Sequence, residues 1–179
     1  SEQQGVRYLH LGSPLIQGAM RIARPYALEL EYTREMLLPL LLHADEAWPS
    51  RVLQVGLGAA SLTRFLHRHR PRARLTVLEI RPDVVAAARQ FFKLPEPSER
   101  LGIVTGDACE TIVRLKGRFD LVLVDGFDGA GNAGMLETVP FYLNVRERLA
   151  RGGFMACNLL SGRRGIVAGV GMLGQAFGE

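Results

Sequence analysis

Asp125 and Asp128 stand where the apolar run Leu121-Val122-Leu123-Val124 opens into the glycine-rich segment Gly126 to Gly131. A carboxylate ending a buried strand needs a hydrogen-bonding partner or a cationic ligand to offset its desolvation. Asp128 also fits a loop aspartate that closes its own Asx-turn. Asp125 fits that reading less well. A second constellation lies upstream. Residues Arg51 to Val55 run into Gly56-Leu57-Gly58 and then Ala59-Ala60-Ser61, which opens a helix. A strand that breaks at glycines exposes backbone N–H groups and lets a ligand approach the main chain closely. The next apolar strand, Leu75 to Leu78, ends in Glu79, about twenty residues on, where an acid can hydrogen-bond ribose hydroxyls. Asp107, in Thr105-Gly106-Asp107-Ala108, fits a helix N-cap, and equally an acceptor for an adenine amino group. Gly56, Gly58, Glu79, Asp107 and Ala108 together read as a nucleoside-binding set.

These side chains meet only if strand ends converge. After residue 50 the sequence alternates: strands 52–56, 74–79, 102–106, 119–125 and 153–160, helices 60–69, 83–93, 108–116, 138–150 and 164–177. Short apolar strands alternating with helices predict a doubly wound parallel α/β sheet. Ligands in such sheets bind beyond the carboxyl ends of the strands, where Glu79, Asp107 and Asp125 fall. Ahead of the sheet, Val6 to Ile22 reads as a short hairpin around Gly12-Ser13-Pro14, and Ala27 to Leu30 as extended. A helix over Glu31 to His43 carries Met36, Leu37, Leu40 and Leu41 as its apolar stripe, with Pro39 kinking it or cutting it short. The division is therefore an N-terminal hairpin and helix over 1–48, then a Rossmann-like domain over 49–179.

At 179 residues, 47% hydrophobic and 22% charged, the chain reads as an ordinary globule with one main core. No apolar run has the length of a membrane helix, and no signal-peptide pattern opens the sequence. Cys109 and Cys157 suggest reduced thiols and a cytoplasmic setting. The four histidines show no metal spacing with them, so no metal is expected. A net charge of +4 permits a nucleic-acid partner. Its obvious source is Arg64, His67, Arg68, His69, Arg70, Arg72 and Arg74, which read as a solvated helix C-terminus whose cations suit the dipole. No aromatic residues are interleaved there as a stacking platform, so nucleic acid is not the expected partner.

In order along the chain, the glycine loop, Glu79-Ile80, Gly106-Asp107-Ala108, Asp125-x-x-Asp128 and Leu136-Glu137-Thr138-Val139-Pro140-Phe141-Tyr142 resemble the polyamine aminopropyltransferases of the spermidine synthase type. Gly152-Gly153 before the fifth strand, Ile16-Gln17 and Tyr32 are similar to that family as well. The resemblance implies the Rossmann-like fold of S-adenosylmethionine-dependent methyltransferases and a homodimer. It implies decarboxylated S-adenosylmethionine as co-substrate and a diamine such as putrescine as acceptor. Glu79 would hold the ribose, Asp107 the adenine, Asp125 would take the amine proton, and Asp128, Gln17 and Tyr32 would position the diamine. Ala59 departs from the pattern, since the family usually carries an aspartate there that helps hold the aminopropyl ammonium. The closing strands of the family fold are not expected within the chain. Two alternatives share the same cradle: an S-adenosylmethionine-dependent methyltransferase and a silent nucleoside-binding relative. Methyltransferases usually carry an acid two residues before the first glycine, where this chain has Gln54.

Overall fold

In the computed structural model, residues 1–159 and 163–178 are described. Strands β1 (Glu2–Gln3), β2 (Val6–Leu9) and β3 (Gly18–Arg21) form a small antiparallel sheet, one strand larger than the expected hairpin. The helix expected over 31–43 is two pieces, α1 (Glu31–Glu35) and α2 (Pro39–Leu42). Pro39 has no N–H to continue α1 and instead starts α2, so the break falls at the proline. The expected stripe is cut with it: Met36 and Leu37 are buried, whereas Leu41 is 80% exposed.

The main sheet contains β4 (Arg51–Val55), β5 (Arg74–Glu79), β6 (Leu101–Thr105), β7 (Phe119–Val124) and β8 (Leu149–Cys157). Their order is β6-β5-β4-β7-β8 and every pairing is parallel. Between them run α3 (Ser61–His69), α4 (Pro82–Phe91), α5 (Ala108–Ile112) and α6 (Val139–Arg148), and α7 (Arg163–Phe177) follows. The strand order reverses between β4 and β7, which makes the carboxyl end of that pair the topological switch point.

Alternation along the strands feeds two cores. Val52, Leu75, Val77, Leu121 and Leu123 pack with α3 and α4, while Leu53, Val55, Leu78, Val122 and Val124 pack with α5, α6 and α7. Both faces are thereby covered, as a parallel sheet requires. Met36, Leu37 and Trp48 join the first core, so the N-terminal segment shares packing with the sheet. Strand β8 begins at Leu149, earlier than expected, because a register shift opposite Phe119 and Leu121 absorbs the Gly152-Gly153 pair. Residue 160, the expected end of that strand, and Glu179 lie outside the described residues. Helix α5 ends at Ile112 rather than 116.

Candidate active site

Gly56 begins the site. Its φ is +88°, and a Cβ there would fall on the backbone carbonyl of Asp125, so only glycine fits between the ends of β4 and β7. Gly58 and Ala60 are also left-handed, with φ of +50° and +56°, and the loop turns upward into α3. Glu79 lies beneath this loop, 7% exposed. Its Oε2 accepts from the Leu57 N–H at 2.9 Å and its Oε1 from the Arg81 N–H at 2.9 Å. The carboxylate is thus oriented by the glycine loop on one side and the entry to α4 on the other.

Asp107 caps α5, its Oδ1 accepting from the Cys109 N–H at 2.7 Å. Oδ2 has no protein partner among the described residues, so the cap leaves one oxygen for a ligand. Asp125 is deep in the site. Tyr32 Oη donates to its Oδ2 at 3.2 Å, and Asn158 Nδ2 donates to its Oδ1 at 2.9 Å. Among the described residues no cation lies within 4.0 Å of it. Burial pushes its carboxyl above the ordinary range, and the two hydrogen bonds pull back only partly. The same burial, with the Asp125 charge beside it, raises Tyr32, which therefore remains a hydrogen-bond donor.

Asp128 realises the Asx-turn. Its Oδ1 accepts from the N–H of Ala130 and of Asn132, at 2.9 and 2.8 Å, and Asn132 Nδ2 reaches its Oδ2 at 3.1 Å. Those backbone and side-chain donors of Asn132 hold it below the usual carboxylate range. The acidic loop is tied to the N-terminal segment: Gln17 Nε2 donates to the Asp128 carbonyl at 3.0 Å, and Ser13 Oγ to the Gly129 carbonyl at 2.6 Å.

Gln17, Tyr32, Gly56, Gly58, Glu79, Asp107, Ala108, Asp125 and Asp128 all line one cavity of about 420 Å³ at the switch point. Leu11, Ile16, Leu57 and Leu136 supply apolar wall between the acids. The volume is in the range of small-molecule sites, roughly 300–1,000 Å³. Sequence reading missed Asn158, although it follows the end of β8 as Asp125 follows β7. Carrying that strand on to residue 160 hid its position. Arg64 is a correction of another kind. It is fully buried, not part of a solvated run, and donates to the carbonyls of Pro25 and Phe92 at 2.7 and 2.8 Å and to that of Ala59. Burial pushes it down to about 10. Gln54, also buried, accepts from Thr63 Oγ1 and donates to the Gly56 carbonyl, so its amide is paired locally.

A doubly wound parallel sheet with a cavity at its switch point, under a glycine loop, defines the Rossmann-like class. Residues 30–159 match the spermine/spermidine synthase domain, and the chain belongs to that family. A polyamine aminopropyltransferase from Neisseria meningitidis is 37% identical over 162 residues, covering 90% of this chain and 61% of its own length. The chain therefore spans less than two thirds of that relative. The crystal structure of a probable spermidine synthase from Corynebacterium glutamicum superposes with a TM-score of 0.69 at 26% identity, covering 80% of this chain and 53% of that one. Human methyltransferase-like protein 13, in complex with SAH, gives a TM-score of 0.71 over 82% of this chain and 72% of that one. At 22% identity the last likeness concerns the fold alone. Among the described residues no helix is long and apolar enough to cross a membrane, and no group of three or more His, Cys, Asp or Glu side chains is arranged around a metal.

Proposed function

We propose that the chain is the catalytic part of an aminopropyltransferase of polyamine biosynthesis, acting on decarboxylated S-adenosylmethionine and a diamine such as putrescine. The observation that carries this reading is Asp125: a buried carboxylate, held by two neutral donors and facing the same cavity as the nucleoside-type acids Glu79 and Asp107. A buried anion without a cationic partner is complementary to a cationic substrate.

Residue by residue, Glu79 receives the ribose hydroxyls and the free Oδ2 of Asp107 an adenine amino group. Gly56 and Gly58 give the nucleoside close access to the main chain, with Ala108 beside it. Tyr32, Gln17 and Asp128 line the amine side. The sulfonium, when bound, supplies the leaving group: the amine lone pair forms the new N–C bond, C–S breaks, and its electron pair stays on sulfur as a neutral thioether. The acceptor ammonium has a reference pKa of about 10.4, so less than roughly one part in a thousand is free base at neutral pH. Asp125 orients that ammonium and takes its proton, freeing the lone pair that then forms the N–C bond. Alignment within the cavity supplies much of the remaining acceleration. As part of the same proposal the enzyme is cytoplasmic and homodimeric. Exposed Leu38, at the N-cap of α2, and Leu41 and Leu42 on it offer apolar surface for a second copy, and sedimentation tests it.

Thermal unfolding with the two adenosyl compounds separates this reading from methyl transfer. At a hundredfold excess over Kd the preferred ligand stabilises by about 2.7 kcal/mol. For a domain of this size that is a rise in Tm of roughly 5–10 °C. The decarboxylated compound is expected to give the larger shift. A shift from intact S-adenosylmethionine alone would assign a methyltransferase.

Asn158 acts through Asp125. Removing a hydrogen bond to a buried carboxylate costs about 1.5–3 kcal/mol. Because that bond lowers the Asp125 pKa, Asn158→Leu is expected to move the acid limb of the pH–rate profile upward by roughly one to two pH units. An unshifted limb would show that the contact plays no part in ionising the base.

A further inference from the structure

The edge of the sheet opposite the cavity carries a row of arginines. Arg51 opens β4 and Arg74 opens β5, and the register pairs them directly. Arg100, Arg118 and Arg148 immediately precede β6, β7 and β8. In sheet order the row runs Arg100, Arg74, Arg51, Arg118, Arg148, one at the start of every strand. With strands about 4.8 Å apart it spans roughly 19 Å.

Arg51, Arg74 and Arg118 are exposed, and Arg100 and Arg148 half-buried. Several donate to loop and helix-end carbonyls: Arg148 to Ile112 and Val113, Arg118 to Leu149, Arg100 to Pro71, and Arg51 to Lys116. Such contacts occupy part of each guanidinium's five donors and leave its charge in place. Asp45, Glu46, Glu99 and Glu147 stand on neighbouring segments, yet among the described residues no carboxylate lies within 4.0 Å of any of the five guanidinium groups. Asp120 accepts instead from the backbone N–H groups of Ser50 and Arg51.

We propose that this edge binds the phosphate backbone of double-stranded nucleic acid. All five cations are arginine, whose planar fork suits bidentate contact with phosphate. Over about 19 Å of axis a duplex carries roughly eleven phosphates on its two strands, enough partners for the five arginines. No exposed aromatic lies in it, which favours paired over single strands. The row itself also lacks the apolar anchors of a protein interface and the wedge of a membrane-inserting one. The set is assembled from five separated positions, so it is not the single basic run visible in the sequence.

Fluorescence anisotropy with labelled 20-base-pair RNA and DNA duplexes between 50 and 200 mM salt tests this. About five phosphate contacts give a log–log slope near −4.5, on the order of a 500-fold loss of affinity over that range. Arg74→Gln removes a side chain without hydrogen bonds among the described residues, and is expected to make the slope shallower by about one; adding Arg51→Gln, by about two. The thermal shift produced by adenosyl compounds should not change in either variant. Binding of both duplexes, or of one in preference, supports the surface and names its source. A slope shallower than about −2, variants that bind as the parent does, or capture on phosphatidylserine vesicles with no duplex binding would overturn it.

Discussion

Asp125→Asn should reduce aminopropyl transfer by about 10²- to 10⁴-fold, the usual worth of a positioned base, and at the same time make the protein more stable at neutral pH. The two effects share a cause. Burial holds the folded-state carboxyl above its ordinary value of 3.8. The stabilisation tied to its protonated form is therefore complete below that ordinary value and is lost as pH rises through the folded one. Ionising this carboxyl in the folded chain leaves a desolvated anion, a cost that the neutral amide of nearly the same shape does not carry. Asn158 can still donate to the new carbonyl, and the new NH₂ can donate to Tyr32 Oη. Thermal melts should place the variant above the parent at pH 7 and converge with it near pH 3, while isothermal titration shows the adenosyl ligand still bound. Turnover equal to the parent's would remove Asp125 as the base. A lower Tm at pH 7 would mean that the anion is already balanced.

Gly56→Ala should have the largest effect on the fold. A left-handed backbone costs an L-residue about 1–2 kcal/mol, and here the added methyl also meets the Asp125 carbonyl, a backbone atom with no rotamer to yield. The Asp125 N–H already donates to Val55 at 2.8 Å, so moving that peptide breaks the junction of β4 and β7. A total loss of about 3–5 kcal/mol places this among the diagnostic substitutions. For a domain of this size it corresponds to a fall in Tm of roughly 6–20 °C. Binding should fail as well, because the Leu57 N–H that orients Glu79 belongs to the same turn. Gly58→Ala makes a milder comparison: its Cβ would lie 3.0 Å from the Gln17 carbonyl. Equal stability of the two variants would show that the close approach at Gly56 is relaxed in solution.

The parallel sheet was legible because Val52-Leu53-Gln54-Val55 and Leu121-Val122-Leu123-Val124 are apolar on both faces, and a buried parallel strand needs that. The acids at strand ends were legible for the converse reason, since a charge bordering such a run stands out. Arg64 was not. Nothing in the run from Arg64 to Arg74 distinguishes a guanidinium that binds three carbonyls beneath the glycine loop from exposed neighbours such as Arg68 and Arg72. Only the packing of α3 against the Pro25 turn and the end of α4 separates them. Asn158 was hidden because its side chain is neutral, so desolvation does not mark it as it marks a carboxylate. The break at Pro39 was foreseen as a kink or a stop, but which of the two depends on Met36 and Leu37 turning into the core ahead of it.

The clasp between the first twenty residues and the acidic loop builds the cavity wall from two separate parts of the chain. Gln17 and Ser13 reach Asp128 and Gly129 from outside the matched domain, which begins at residue 30, while Gly56, Glu79 and Asp107, proposed to meet the nucleoside, lie within it. On the proposed function, change in the leading segment is expected to alter which amine is admitted while the donor's berth stays intact.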